Sequence, residues 1–331
     1  MKNNKLLPII LLMFSLLFCC NACTKSSIQS HKKIIKIGIL DTPNDVAVAR
    51  KANFFNKALP NYEIKYITFD SGVDANKALM SNSIDFATMG DTNALVAVTR
   101  NIPVKLFFIN EICQTNEELI VRKDANIHSI KQLAGKRIAT PFASTSHLSL
   151  LYLLNLEYLQ NKVTLLDMDT QNIVAAWKRR QIDAAYTWEP TLTQLKKDGI
   201  VLTSSKELEK QGMMTGNVTL VSNRFAREHP KECLIIRNEL VRAHQMRSTH
   251  SSKAVTFAAK QVGIPVNEAK KQMLGTYWPS LSKEKSYLKY SGRFLNAMKK
   301  AGSFMYKNQN LEYAPDEKQL YEFVWKGWKD E

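Results

Sequence analysis

Thr140-Pro141-Phe142-Ala143-Ser144-Thr145-Ser146-His147 sets three adjacent hydroxyls and an imidazole where a short strand, Arg137–Ala139, gives way to a leucine-rich helix. The first amides of a helix have no partner inside it and carry the positive end of its dipole. Such an end, with hydroxyls beside it, suits a compact oxyanion. An ordinary N-cap needs one hydroxyl, and three in a row exceed that need. Ser144, Thr145 and Ser146 are therefore candidate anion ligands. His147 either donates to the same anion or packs and caps. A sulfonate fits the demand: it has three acceptor oxygens and stays ionised at ordinary pH, so it needs donors rather than a proton-transfer partner.

Other candidates sit at the ends of predicted strands. Trp188 could close over a ligand and face an ammonium with its ring, or it could serve the core. Asp91, Glu118 and Glu189 could each pair with an ammonium, and each also reads as a surface charge or helix cap. No G-x-S-x-G nucleophile motif is present. No Cys/His spacing suits zinc, so neither a metal nor a cofactor is expected. Cys113 and Cys233 leave one disulfide open, which spacing does not decide.

These residues need a frame, and the chain supplies one by alternating strand-like and helix-like segments. Strands are predicted at Ile34–Leu40, Glu63–Phe69, Ile84–Ala87 and Val104–Ile109, with helices at Asp45–Leu59, Ala75–Ser81 and Thr92–Arg100 between them. A second series follows, with strands at Arg137–Ala139, Val163–Leu166, Ala184–Tyr186 and Ile200–Thr203. Its helices are Ser144–Leu159, Asn172–Arg180 and Thr191–Lys197. The remainder is mostly helical, including Pro230–Ser248 and Ser252–Val262, the latter stopped by Gly263 and Pro265. One repeat ties the two series together. Ile84-Asp85-Phe86-Ala87 leads to Gly90-Asp91-Thr92-Asn93, and Ile182-Asp183-Ala184-Ala185 leads to Thr187-Trp188-Glu189-Pro190. Two α/β lobes of mostly parallel sheet are expected: residues 34–117 with 222–331, and residues 118–221. Crossings near Glu118–Arg122 and Asn217–Ser222 would form a two-stranded hinge. Open α/β sheets bind ligands at strand carboxyl ends, which places the cleft between the lobes.

The N-terminus carries an export signature. Lys2 and Lys5 precede an apolar run, Leu6–Phe18, too short to span a bilayer, and Ala22-Cys23 follows. Residues 1–22 read as a lipoprotein-type signal peptide, Cys23 as the lipid anchor with Cys20 as the alternative acceptor, and residues 23–33 as a lipidated tether. The product would be exported and lipid-anchored at an extracytoplasmic membrane face. The formal net charge of +16 favours anionic ligands or surfaces. Nucleic acid is not expected, because the lysines are scattered and no basic helix or basic-aromatic alternation appears.

The chain resembles the taurine-binding group of periplasmic binding proteins, kin to the aliphatic-sulfonate and nitrate binders. The resemblance is carried by Phe69-Asp70-Ser71-Gly72, by Gly135–Leu151, by Ile173–Pro190, and by Phe225-Ala226-Arg227-Glu228-His229-Pro230. It implies a type II binding-protein fold, no catalysis, and delivery of a taurine-like sulfonate to an ABC permease driven by an ATPase. It also implies that the Ser144–His147 turn faces the sulfonate and that Trp188 lines the cleft. Two positions depart from the family. Asn217 stands where an Asp is expected, and Gly90-Asp91-Thr92 replaces Gly-Ser-Ser, which makes Asp91 a candidate for the amine end and Thr92 a further ligand-binding candidate; without the Asp91 contact a different sulfonate is the alternative ligand. Enzymes of the same superfamily that make the thiamine pyrimidine carry a cysteine-rich iron motif, which this chain lacks. A sensing module is an alternative that the sequence does not separate from import.

Overall fold

The computed structural model describes residues 32–328; the signal segment, Cys23 and most of the tether lie outside the described residues. Eleven strands are described: β1 (Lys33–Ile39), β2 (Tyr62–Thr68), β3 (Phe86–Gly90), β4 (Val104–Cys113), β5 (Glu117–Arg122), β6 (Arg137–Thr140), β7 (Thr164–Asp167), β8 (Ala184–Trp188), β9 (Gly199–Ser204), β10 (Gly216–Ser222) and β11 (Thr276–Tyr277). They form two sheets, in the orders β11-β4-β10-β3-β1-β2 and β7-β6-β8-β5-β9. Parallel pairing joins β1 to β3, and β6 to both β7 and β8. β10 and β5 insert antiparallel, because each enters after the chain has changed sheets. Both sheets are therefore mixed rather than mostly parallel.

The repeat proves to be structural. Asp85 accepts a hydrogen bond from the Lys36 amide at the start of the first sheet, and Arg224 pairs with its other oxygen. Asp183 accepts from the Arg137 amide and is gripped by the Arg137 guanidinium. In each sheet the aspartate ties the strand it opens to its parallel neighbour.

The crossings differ from the expected hinge. β10 lies between β4 and β3, so residues 216–221 belong to the first sheet, and β5 lies in the second. The two strands do not run side by side. The chain changes sheets in the short segments 114–116 and 211–215, which touch where the Cys113 amide donates to the Thr215 carbonyl. Local signals explain the helix ends. Asn53, in the left-handed region, splits the expected Asp45–Leu59 helix into Asp45–Lys51 and Phe54–Ala58. Gly263 ends Ser251–Val262 with φ of 73°, as a C-terminal glycine should.

The C-terminal third packs onto the first sheet through a buried ion pair. Arg237, on helix Pro230–Thr249, meets Glu284 at 2.6 Å. Its guanidinium lies over the Phe108 and Trp328 rings. Glu284 also accepts from the Ile109 amide of β4, and burial lifts its carboxyl to about 7. Helix Arg293–Lys307 instead reaches residues that follow β6 in the second half of the chain. Arg293 pairs with Glu209 at 2.7 Å, Lys300 donates to the Gly212 carbonyl, and Phe304 meets Tyr152 edge-on. Replacing Arg237 by Leu strands Glu284 in the core and is expected to cost about 3–5 kcal/mol in denaturant unfolding. The Arg237→Leu/Glu284→Leu double variant recovers most of that loss; equal loss in both variants would show that packing, not charge, is at stake.

Candidate functional site

A cleft of about 500 Å³ opens where the carboxyl ends of strands from both sheets meet. Two helices end in it. Helix Gly72–Met80 is capped by Ser71, whose hydroxyl accepts from the Asp74 amide. Helix Thr145–Leu156 is capped by Ser144, which accepts from the His147 amide and donates to the Pro141 carbonyl. Ser71, Gly72, Val73, Ser144 and Thr145 all line the cleft. The opening amides of both helices have no intrahelical partner, and no described residue is bonded to those of Gly72 and Thr145. Each side of the cleft thus offers backbone donors at the positive end of a dipole.

Close packing makes this convergence depend on small residues. A Cβ on Gly72 would come within 2.4 Å of the Asn93 side chain. Asn93 and Thr92 both donate to the Ala143 carbonyl, at 3.2 and 3.1 Å, bridging the two halves of the site. Ala143 itself has φ of 58°, a left-handed conformation that an alanine adopts only under external constraint.

The expected site residues separate into two groups. Ser144, Thr145, Trp188, Glu189 and Asn217 line the cleft. Asp91, Thr92, Glu118, Ser146 and His147 are not among its lining residues. Asp91 is fully buried, accepts from the Gly216 amide through one carboxylate oxygen, and keeps its other oxygen inside the fold without a partner among the described residues, away from the cleft lining. Burial, with Glu117 nearby, pushes its carboxyl well up. Thr92 serves the bridge to Ala143. Glu118 pairs with Lys196 at 2.8 Å. Ser146 points into the interior, fully buried. His147 turns away from the cleft: its ring stacks on Phe142 and its Nδ1 accepts from the Ala143 amide. Burial lowers its proton affinity to about pH 4, so it stays neutral. Cys113 and Cys233 are both free and buried rather than bridged.

Glu111, Glu117, Asn93 and Gln272 also line the cleft, although the sequence singled out none of them as a ligand. Glu117 opens β5 and takes hydrogen bonds from the Thr145 and Ser205 hydroxyls. Glu111 lies opposite Asn217, which donates to it at 2.7 Å. A register shift beside Asn217 leaves Asn110 unpaired in the ladder, and such a bulge re-aims the next side chain. The one clue in the sequence was Asn110-Glu111 within an otherwise apolar run. Despite the net charge of +16, no Lys, Arg or His is among the described residues that line the cleft.

Comparison with known proteins gives this geometry a context. The NMT1/THI5-like family model matches residues 45–235. The taurine-binding periplasmic protein of Escherichia coli K12 is 34% identical over 204 residues, which cover 61% of this chain and 63% of that protein, less than two thirds of its length. A putative aliphatic sulfonates-binding protein of Bacillus subtilis 168 is 24% identical over 234 residues, 69% of this chain and 70% of that one. The alkanesulfonate-binding protein SsuA of Xanthomonas axonopodis pv. citri, solved with MOPS, shares the fold with a TM-score of 0.74 at 20% identity, covering 88% of this chain and 98% of that chain.

Glu117 makes the site measurable by pH. Burial raises its carboxyl from 4.5 to about 7, against the lowering effect of the hydroxyls that bond it. Between those values the folded state holds a proton that the unfolded chain has released, so stability falls as pH rises through that window and levels off above it. Glu117→Gln removes this loss. Its stability relative to the wild type should grow from pH 4.5 to 7 by up to about 3 kcal/mol, at about 1.4 kcal/mol per unit. Urea titrations at four pH values would read it; a constant gap would exclude Glu117 as the buried acid.

Proposed function

The chain belongs to the NMT1/THI5-like family, and from that premise we propose that it is the extracytoplasmic substrate-binding component of an ABC importer, taking a small sulfonate of the taurine class. One observation carries the reading: two serine-capped helix ends, from different halves of the molecule, present unbonded amides to one cleft. A sulfonate uses such donors without exchanging a proton. Trp188 supplies a half-buried aromatic wall beside them. Flexing of the crossing segments 114–116 and 211–215 would close the halves over the ligand, and the closed form is what a permease reads. The names of the E. coli and B. subtilis relatives support the ligand class.

Binding rather than catalysis also suits the thiols. Cys113 and Cys233 lie outside the cleft lining, and burial pushes both up, Cys233 to about 12. That opposes a thiolate nucleophile. Lipidation at Cys23 would hold the domain at the membrane through residues 24–33.

A thermal-shift panel tests the ligand class. Taurine or an alkanesulfonate at 100 times its dissociation constant should add about 2.7 kcal/mol of stability, while nitrate and amino acids leave the midpoint unmoved. A shift with amino acids and none with sulfonates would overturn the reading. Labelled fatty acid fed to expressing cells should mark the wild type and Cys20→Ala but not Cys23→Ala; label retained in Cys23→Ala would move the anchor elsewhere.

A further inference from the structure

Five carboxylates line the cleft, and no cationic side chain among the described residues lines it with them. A plain anion entering there meets negative charge, so the other end of the ligand matters. Four of the five are provided for. Asp41 and Asp70 are exposed to water. Glu117 is bonded by Thr145 and Ser205. Glu189 accepts from the Thr193 amide, with Lys196 at 3.7 Å.

Glu111 is different. It is 4% exposed, and it receives the Asn217 amide, while the Trp278 indole beside it donates to the Thr276 hydroxyl. It has no ion pair within 4 Å among the described residues. Arg247 is near, but its guanidinium donates to Thr276 and to the Met273 carbonyl. A carboxylate accepts about four donors, so capacity remains. Burial raises its affinity for a proton, against the opposing pull of the Asn217 amide and of Arg247.

A second acceptor stands on the same wall. Gln272 is also 4% exposed and lines the cleft, and its Oε1 has no partner, while its Nε2 is used by Glu268. Gln272 lies one turn before Thr276, which pairs with Cys113, two residues beyond Glu111. An acceptor buried without a donor is costly, and a ligand N–H would relieve it. We infer that Glu111 is a specificity determinant that receives an ammonium group of the ligand, with Gln272 Oε1 beside it and Asn217 fixing the carboxylate. The cleft then selects aminoalkanesulfonates over unsubstituted ones. Asn217, an amide, cannot itself supply the counter-charge.

This rests on the sulfonate reading above, and taurine with ethanesulfonate separates the two claims, since they differ only in the amine. In calorimetric titrations the wild type should bind taurine at least about 30-fold more tightly than ethanesulfonate. Glu111→Gln should reduce that preference to within about 3-fold, leaving ethanesulfonate affinity nearly unchanged. Gln272→Met, which removes the unpartnered acceptor and one hydrogen bond to Glu268, should cost taurine about 5-fold and ethanesulfonate nothing, and it carries the test if Glu111→Gln does not fold. Ethanesulfonate binding as tightly as taurine, or both variants weakening the two ligands equally, would overturn the role of Glu111 while keeping the sulfonate site. A wild type that binds neither ligand would overturn both.

Discussion

An anion taken into a cleft must be given back the hydrogen bonds it loses from water, and the donors that this cleft offers are backbone amides at two helix ends. A lysine or arginine in the cleft would attract many anions, whereas amides at fixed helix ends recognise an arrangement of oxygens. The excess of basic residues is therefore surface charge outside the site, and what lines the cleft is acidic. Such a lining fits a ligand that carries both signs and penalises one that carries only a negative charge.

Holding two helix ends at one small volume requires the surrounding chain to pack without slack. Gly72 leaves room for Asn93, and Asn93 together with Thr92 holds the carbonyl of a left-handed Ala143. That constraint fixes the turn before Ser144 and so aims the Thr145 amide. Beneath the first sheet a buried polar chain supports the same end of the cleft. His244 bridges Asp45 and the Pro279 carbonyl, Asn110 donates to Asp45, and Thr219 donates to Asn110. The bulge that places Asn110 in this chain also turns Glu111 to the cleft, so one irregularity in β4 serves stability and recognition together.

Much of this was legible from the chain alone. Apolar patterning placed ten of the eleven described strands, though it ended β3 three residues early and β4 four residues early, and the Ile-Asp-x-Ala repeat marked corresponding strands of the two sheets because both aspartates bond the neighbouring strand. Ser144, Thr145 and Trp188 were singled out at helix or strand ends and Asn217 as a departure from the family pattern, and all four line the cleft. Asp91, Thr92, Glu118, Ser146 and His147 stand at similar ends, and there sequence reasoning failed. Position along the chain does not tell whether a polar side chain turns to the cleft, to the backbone of another strand, or to a lysine across the fold. Glu111 was hidden for the opposite reason: β4 seemed to stop at Ile109, and a buried carboxylate in a long apolar strand is intelligible only once Asn217 is seen across the ladder.

Helix Arg293–Lys307 belongs by packing to the first sheet, yet it grips residues near 152 and 209–212. Any parting of the halves that uncovers the ligand has to release those grips. Each is modest: an exposed ion pair is worth about 0–1 kcal/mol, and a ring pair about 0.5–1.5 kcal/mol beyond its area. If the halves close as proposed, the sum of these contacts would set the balance between apart and together before any solute arrives. Affinity measured from outside would be the intrinsic affinity of the closed cleft divided down by that balance, so this helix, which never touches the ligand, shares in setting how dilute a solute the protein can gather.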